Sequence, residues 1–423
     1  MPSPDRAALD LLRKAGDAPA DQFVQQLQAR LGGVDALATE LNRLIGWYDL
    51  DRPPPEDLDA EVVAYVRDAS PVRPAWLSAE DVRSAQALFQ DCRYAALLVL
   101  ACASLPACYG QPHIAEVLSS SGRLVNGVRR RLQETVFFTS CVMTPGALEP
   151  GAIGHRWIRK VRLVHAMMRP ITRAHPTEGT ARTGDRLADL LMRHEWKKPE
   201  LMPVSQTELG FVLLTFSWLT LRGWRALGIR MAPAEEAAFV RTWAWIGQLL
   251  GLDERFTGYA REQGREVEGA REMYEAIRIA YEDGTEGGRL LAAALGVVLV
   301  DQQREALEKT IAPSLPAWLG AIVKWMLTNR PRHVEDIAIA MSRSMVRKLS
   351  DEPTSRALRV GRAPFLLWIQ GEFLNDAVHW RGLSRATDRA PAIASRRGGR
   401  AQHAIGRGID LAANAFVRGA LPY

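Results

Sequence analysis

Apolar residues recur every three or four positions through most of the 423-residue chain, and this spacing is typical of amphipathic α-helices. Asp, Gly and Pro fall between the periodic stretches, where helices begin and end. Ser78 with Asp81 suits a capping-box variant at the start of the helix predicted from residue 78. No stretch alternates apolar and polar positions between hairpin turns, so no β-strand is predicted. Helices are predicted over residues 4–14, 20–31, 34–48, 58–69, from 78 onward, 92–103, 112–119, 122–143, 155–174, 184–192, 205–227, 233–250, 253–280, 288–310, 316–328, 334–349, 355–375 and 408–420. The pattern therefore predicts an all-α fold built as one large helical domain.

Changes in composition indicate where this domain begins and ends. Prolines at 53–55 and again within 70–76 interrupt the helical pattern, so residues 1–70 are predicted to form an N-terminal helical extension. Arginines crowd the C-terminus, and residues 381–423 are predicted to form a basic tail with a terminal helix. The main domain is then residues 71–380.

Composition and charge exclude several classes of protein. The formal net charge is +6, and its excess lies mostly in the C-terminal tail without a nucleic-acid-binding module, so no nucleic-acid partner is predicted. The longest apolar runs, residues 94–108 and 290–300, are shorter than a membrane span. The N-terminus lacks the apolar core of a secretory signal, so we expect a cytoplasmic protein unless a leader has been removed. Four cysteines without a CxxC pair predict buried free thiols.

The segment 155–169, which reads HRWIRKVRLVHAMMR, contains the candidate metal ligand His165. On a helix, Ile158, Val161 and Met168 share its face, so the histidine lies on a largely apolar stripe. A buried imidazole needs a partner for its ring nitrogens, and either a backbone carbonyl or a haem iron can be that partner. Both interpretations are open for this residue alone.

A second cluster of candidate residues lies in the segment 122–143. Glu134 and Thr135 follow Arg131 by three and four residues, so the three share one side of a helix beside apolar residues. They could line a polar pocket, or they could form an internal Arg131–Glu134 pair with the threonine bonded to its own backbone. Upstream, Glu116 is either a buried general base or a first-turn acid stabilised by the helix dipole.

Other motifs give little support to other chemistries. The remaining histidines form no HExxH motif, and neither a GxSxG motif, a P-loop nor a kinase signature is present. Hydrolase and phosphoryl-transfer activities are therefore not predicted. Trp224, Trp243 and Trp245 are expected to pack in the core rather than to stack on a cofactor.

Several stretches together resemble the latex-clearing protein family of rubber oxygenases and the related oxygenases of the fungal mycophenolic-acid pathway. They keep their order over roughly residues 74–349, and no single stretch is as specific as the ordered set. The stretches are SLPACY with VLSSSGRL (104–124), RRLQET with VMTPGALEPG (130–151), VRLVHAMMR (161–169), PVSQTELGFVLLTFSW (203–218) and WAWIGQLLGL (243–252).

The resemblance implies a globin-like helical core around one b-type haem, with His165 as the proximal iron ligand. It also implies that Arg131 and Thr135 lie on the distal side and that an acid, matched best by Glu116, serves as base. The implied reaction adds molecular oxygen across a carbon–carbon double bond of polyisoprene and releases two carbonyl products. Arg162 and Arg169, which border the stripe around His165, are candidates for the haem propionates, with ordinary surface pairing as the alternative.

The chain departs from the family pattern in two respects. The family has a lysine directly before the threonine, whereas this chain has Glu134, which could itself be the base or an anionic distal group. Rubber oxygenases are exported, and the missing signal favours a smaller intracellular isoprenoid or polyketide as substrate. Two alternatives stay open: a haem enzyme that hydroxylates or rearranges its substrate, and a haem-free helical protein that binds a hydrophobic ligand.

Overall fold

Every regular element within the described residues is a helix, as the sequence pattern predicts. The structure, a computed structural model, describes residues 5–68, 71–120, 127–174, 200–226 and 229–283. The side chains of residues 94, 97–98 and 119–133 are outside this description. The predicted helices at 184–192, 288–310, 316–328, 334–349, 355–375 and 408–420, and the basic tail at 381–423, lie outside the described residues.

The helices of the N-terminal half are connected by turns and by two longer segments, before and after α4. They are α1 (Arg6–Leu12), α2 (Ala18–Leu31), α3 (Val34–Gly46), α4 (Ala60–Arg67), α5 (Ala79–Asp91), α6 (Arg93–Val99), a π-helix (Leu100–Ser104), α7 (Leu105–Tyr109) and α8 (Pro112–Ser120).

The remaining described helices include the longest one, α10. They are α9 (Gly127–Val142), α10 (Ile153–Ala174), α11 (Gln206–Phe216), α12 (Trp218–Ala226), α13 (Pro233–Leu249), two 3₁₀ turns (Glu254–Phe256 and Gly258–Arg261) and α14 (Glu266–Tyr281).

Helix α10 lies at the centre of one half of the fold. It packs against α2, α3 and α4 on one side and against α9 and α13 on others. The helices before residue 70 therefore pack directly on α10, and the proposed boundary at residue 70 stays a prediction. A second group, α11 with α12, α13 and α14, surrounds a core that contains the fully buried Trp224 and Trp243, as the sequence predicts.

Capping residues explain where several helices begin. Ser78 Oγ accepts a hydrogen bond from the Asp81 backbone N–H, and the Asp81 carboxylate accepts one from the Ser78 N–H. This reciprocal pair is the capping box that the sequence predicts at Ser78. Ser205 and Glu208 form the same motif at the start of α11.

Three long predicted helices are interrupted in the structure. The predicted helix 92–103 passes into a π-helix at Leu100. Pro106 has no N–H to donate to the carbonyl one helical turn earlier, and the Leu105 N–H donates to the Leu100 carbonyl, five residues before it. The stretch 205–227 breaks at Ser217, whose hydroxyl and N–H both donate to the Leu213 carbonyl. The stretch 253–280 starts with two 3₁₀ turns, and α14 begins only after Gly264, whose φ is +79°.

All four cysteines are free thiols, as predicted, and three of them are buried. The predicted burial is wrong for Cys141, which is half-buried near the end of α9. Burial raises the pKa of Cys102 to about 12, so this thiol stays protonated. Within the described part of the chain, no helix has the length and apolar character needed to cross a membrane.

Candidate functional site

His165 lies on helix α10 in a stripe of apolar side chains that the protein covers only in part. Val161, Val164, Met168 and Ile171 are all half-buried and pack against the edge of the core. The imidazole is half-buried as well, and its Nδ1 atom is shielded from solvent. Neighbouring side chains thus cover both the stripe and the imidazole only in part.

A second histidine on the same helix has different surroundings. His155 is 2% exposed, and its Nε2 lies 3.0 Å from the Leu148 carbonyl oxygen. Its ring packs edge-on against Trp245 at 5.6 Å between centroids. Burial lowers the pKa of His155, so the ring is neutral and donates to that carbonyl.

The short connection 143–152 makes α9 and α10 antiparallel neighbours, and a ring contact sets their register. Phe137 and Trp157 pack edge-to-face at 4.8 Å between centroids. At a rise of 1.5 Å per residue, His165 lies about 12 Å along the axis of α10 from Trp157. Arg131 lies about 9 Å along the axis of α9 from Phe137, in the same direction from the ring contact. The hairpin thus brings Arg131 close to the level of His165, whereas Thr135, only two residues before Phe137, lies nearer the ring contact.

The predicted distal residues are described to different extents. Arg131 belongs to α9, but its side chain lies outside the described part of the structure. Thr135 is half-buried, and its backbone carbonyl accepts a hydrogen bond from Thr139 Oγ1 at 2.7 Å. Glu134 is half-buried, and its carboxylate accepts a hydrogen bond from the Tyr48 hydroxyl at 3.4 Å.

Arg162 and Arg169, on the polar edge of the stripe, are paired with carboxylates of the N-terminal helices. Arg162 makes two hydrogen bonds to the buried Asp17, at 2.5 and 2.8 Å. Arg169, itself 3% exposed, bonds Asp21 at 2.5 Å and the Val204 carbonyl at 3.1 and 3.2 Å. These pairs hold α10 against the start of α2, and a propionate role for either arginine stays a prediction.

Both ion pairs are packed against glycines. A Cβ at Gly251, whose φ is +83°, would overlap the Asp17 carboxylate, and a Cβ at Gly16 would overlap that of Asp21. The backbone therefore approaches both pairs closely, although the Asp21 side chain keeps 30% of its surface exposed. Burial raises the pKa of Asp21, although Arg169 acts in the opposite direction.

Glu116 lies on α8, a helix separate from the α9–α10 hairpin, and is half-buried. One turn earlier on α8, the buried His113 has its Nδ1 4.0 Å from Glu208 Oε1. Arg13 Nε lies 3.6 Å from the same oxygen. Burial raises the pKa of Glu208 despite these neighbours.

A small cavity adjoins this group of charges. Its empty volume is about 230 Å³, part of it open to solvent, and Gln111 and Tyr281 are among the residues that line it. Gln111 is 4% exposed, and its Nε2 makes no hydrogen bond among the described residues.

Sequence reasoning missed four residues of this region: Asp17, Asp21, Tyr48 and Glu208. They act through contacts distant in sequence, which no local pattern encodes. No group of three or more His, Cys, Asp or Glu side chains within the described ranges is placed to hold a metal ion.

The helical fold agrees with what comparison with known proteins shows. The solved structure of latex clearing protein LCP in the closed state superposes with a TM-score of 0.60, at 14% sequence identity, over 94% of this chain and 90% of that one. At this identity the likeness establishes the fold: an all-helical protein of the latex-clearing type. No curated protein matches the chain.

A family model matches residues 91–402, more than half of the chain, and its description is ER-bound oxygenase mpaB/B'/Rubber oxygenase, catalytic domain. The chain therefore belongs to the mpaB and rubber oxygenase family. The resemblance predicted from the sequence stretches is confirmed, and so is the all-α fold class. The match indicates an oxygenase.

Proposed function

We propose that this protein is a b-type haem-dependent oxygenase that cleaves a carbon–carbon double bond in polyisoprene or a smaller isoprenoid or other hydrophobic olefin. Family membership supports the oxygenase class. The single observation that favours haem is His165, half-buried in an apolar stripe on the helix that packs against the predicted distal helix α9. Molecular oxygen is the second substrate.

The residues present fit a haem by the chemistry of the available donors. A porphyrin brings four nitrogen ligands of its own and needs one strong axial nitrogen and apolar walls. His165 would supply that nitrogen, and Val161, Val164 and Met168 would contact the ring. Arg162 or Arg169 would meet a propionate only by sharing or exchanging its aspartate partner. When bound, the haem iron would supply the redox chemistry that activates molecular oxygen.

The remaining steps are assigned to side chains of this chain. Arg131 and Thr135, on the distal helix, would donate hydrogen bonds where negative charge develops during the reaction. A carboxylate, Glu134 or Glu116, would accept a proton from the substrate at one of its oxygens. The apolar walls that the haem leaves uncovered would hold the hydrocarbon and exclude water. In sum, one alkene and one O₂ give two carbonyl compounds, so no other reductant is consumed.

An absorption spectrum of the purified protein tests the haem assignment. We expect a Soret band, either as purified or after addition of haemin, which His165→Ala strongly reduces. A wild-type protein that is colourless and does not take up haemin would refute the assignment. It would favour a haem-free helical protein that binds a hydrophobic ligand.

Product analysis under ¹⁸O₂ tests the reaction. The protein is incubated with polyisoprene latex or a short polyisoprenoid olefin, and the products are trapped at once by borohydride reduction to prevent exchange with water. Cleavage by one O₂ predicts two fragments, each with one ¹⁸O atom. An intact chain with one labelled hydroxyl would instead indicate hydroxylation. A cytoplasmic location and the size of the natural substrate remain part of the proposal.

A further inference from the structure

The small cavity beside Glu208 lies where helices α1, α8, α11 and α14 meet. Its walls come from the C-terminal end of α1, the starts of α8 and α11, and the last two turns of α14. Its polar side is formed by Arg13, Gln111, His113 and Glu208. None of the described residues that line it belongs to α9 or α10, so the cavity is separate from the hairpin that contains His165.

Gln111, which directly precedes α8, contributes a buried donor to this cavity. The residue is 4% exposed, and its Nε2 makes no hydrogen bond among the described residues. Native proteins bond almost all buried polar groups, because an N–H group taken out of water loses its bonds there and must replace them. Since Gln111 lines the cavity, an acceptor atom bound there would satisfy this donor.

Arg13 contributes a second donor group and a positive charge. Its side chain is 12% exposed, and its Cζ lies 4.1 Å from the centroid of the Tyr281 ring. Its Nε is 3.6 Å from Glu208 Oε1, which is longer than the usual hydrogen-bond length of about 2.9 Å. Stacking on the tyrosine therefore fixes the plane of the guanidinium, while its N–H groups stay able to bond a further acceptor.

Two helix N-termini add to the preference of the cavity for negative charge. Helix α8 begins at Pro112 and α11 at Gln206, and first-turn residues of both helices line the cavity. The N–H groups of a first turn have no partner within their own helix, and the helix dipole is positive at this end. An anion with oxygen acceptors is the ligand that such an arrangement favours.

Glu208 is a carboxyl group that an anionic ligand must approach. Its Oε2 accepts the Ser205 N–H at 2.8 Å, and its Oε1 lies 4.0 Å from His113 Nδ1. Burial raises the pKa of this carboxyl, so it takes up a proton more readily than an exposed glutamate does. A protonated Glu208 can donate to a neighbouring carboxylate, and the charge of Arg13 is then left to the ligand.

We propose that this cavity is a binding site for a small monocarboxylate. The carboxylate accepts hydrogen bonds from Gln111 Nε2 and from the Arg13 guanidinium. Its short aliphatic tail contacts the apolar wall, which includes Ile114, Phe211 and Ile277.

The size and charge of the cavity define this ligand class. An empty volume of about 230 Å³, partly open to solvent, limits the tail to a few carbon atoms, because pockets for drug-sized ligands have roughly 300–1,000 Å³. Phosphate and dicarboxylates carry a second negative charge, which one arginine and an apolar wall do not compensate. The site does not depend on the haem assignment.

A ligand-observed NMR titration of the full-length protein with propionate, at constant ionic strength, tests the proposal. We expect saturation transfer from the protein to propionate, and much weaker transfer to the neutral propionamide. Gln111→Leu removes the donor with little change in volume and should weaken propionate binding about 10-fold. Arg13→Met should weaken it further. Arg6→Met is the matched control within about twofold of wild type, since Arg6 also stacks on Tyr281, at 4.3 Å, but does not line the cavity.

Absence of saturation transfer to propionate in the wild type would overturn the site. Equal affinity of the wild type and Gln111→Leu would overturn the role of the amide, and equal binding of propionamide and propionate would overturn the anionic ligand. Tighter binding of inorganic phosphate than of propionate would overturn the monocarboxylate class.

The dependence of affinity on pH tests the place of the ligand beside Glu208. The titratable groups that face the cavity are Arg13 from α1, His113 from α8, Glu208 from α11 and Tyr281 from α14. A bound carboxylate favours the protonated forms of His113 and Glu208, so propionate should bind about threefold or more tightly at pH 6 than at pH 8. Equal affinities at the two pH values would overturn this placement.

Urea unfolding in the absence of carboxylate gives a readout that is separate from binding. Gln111→Leu should keep the wild-type midpoint or raise it, because the substitution removes a buried donor that has no acceptor in the described fold. A clearly lower midpoint would mean that the amide has a structural partner, and it would overturn the assignment of Gln111 to a ligand.

Discussion

Helix α10 contains two histidines ten residues apart, and their surroundings differ. His155 is buried, bonded to the Leu148 carbonyl and packed on Trp245. His165 is half-buried among side chains that the protein covers only in part. Both satisfy the simple rule of a histidine on an apolar helix face.

The difference shows that the sequence rule selects a position but not a role. A histidine whose ring is enclosed and whose nitrogen is bonded to a backbone carbonyl contributes to stability, and it has no room for a ligand. A histidine in a partly covered apolar stripe keeps one face accessible to a cofactor. Coverage by neighbouring helices, which local sequence does not encode, separates the two cases.

The largest expected effect comes from exchanging the two histidines for alanine. His165→Ala should lower haem affinity on the order of 100-fold or more, and millimolar imidazole should restore the Soret band by occupying the vacated position. His155→Ala should keep wild-type haem affinity in the folded protein. Haemin titrations followed by absorbance measure both. If imidazole restores haem binding in the His155 variant instead, the roles of the two histidines are reversed.

Substitution of Arg169, on the polar edge of the same stripe, is expected to have a large effect on stability. Arg169→Met leaves Asp21 without its cation partner in a partly buried place, and should cost about 3–5 kcal/mol of unfolding free energy. The measurement is urea unfolding of the haem-free protein.

Arg173→Met, one turn later at an exposed position, is the matched control for Arg169→Met and should change the unfolding free energy by less than about 0.5 kcal/mol. A small loss of stability in Arg169→Met combined with weaker haem binding would contradict a purely structural pair. It would support a propionate role for Arg169.

Much of the fold follows from local pattern. The apolar spacing predicts the helices, and Ser78 with Asp81 predicts the start of α5, because capping is a contact between neighbours in sequence. The helix breaks at Ser217 and at the π-helix were missed. They depend on which groups donate to the Leu213 and Leu100 carbonyls, and apolar periodicity does not indicate such bonds.

The candidate site is less predictable from sequence. His165, Glu134 and Thr135 were found because they lie close together in helical register or in a family-like stretch. Asp17, Asp21 and Tyr48 were missed because they reach α9 and α10 from the N-terminal helices, more than 80 residues away in sequence for Tyr48 and Glu134. Charge pairs of this kind depend on tertiary packing, and no spacing in a single sequence indicates them.

His155→Gln should have a moderate effect on stability that depends on pH. The amide can still donate to the Leu148 carbonyl, so the expected cost at pH 7 is about 1–2 kcal/mol, from altered packing on Trp245. Burial lowers the folded-state pKa of His155 below its ordinary value of 6.5. The unfolded state therefore binds more protons, and wild-type stability is lost as pH falls from about 6.5 through the folded-state pKa.

The glutamine variant should lose less stability than the wild type over that range, as measured by urea unfolding at several pH values between 5 and 7. An unchanged pH dependence would mean that His155 is not the group responsible. Its buried place on α10 would then need another proton-binding neighbour to explain the loss.

The smallest expected effect is at Glu208, which lies beside helix α8. Its stability contribution changes with pH in the direction opposite to that of His155. Burial raises its folded-state pKa above the ordinary 4.5, although Arg13 and Ser205 interact with it. The stability that this group contributes is present below pH 4.5 and is lost as pH rises through the folded-state pKa, because the folded state binds the proton more tightly. Glu208→Gln keeps an oxygen acceptor for the Ser205 N–H and should change stability at pH 7 by about 1 kcal/mol or less.

The informative quantity is the slope of unfolding free energy against pH. Above pH 4.5, Glu208→Gln should make that slope more positive, whereas His155→Gln should make it less positive between pH 5 and 6.5. The double variant should return the slope toward that of the wild type, since the two sites lie on different helices and their contacts among the described residues differ. A slope that Glu208→Gln leaves unchanged would mean that His113 and Arg13 hold the carboxylate ionised, and the cavity beside it would then be a site of buried charge.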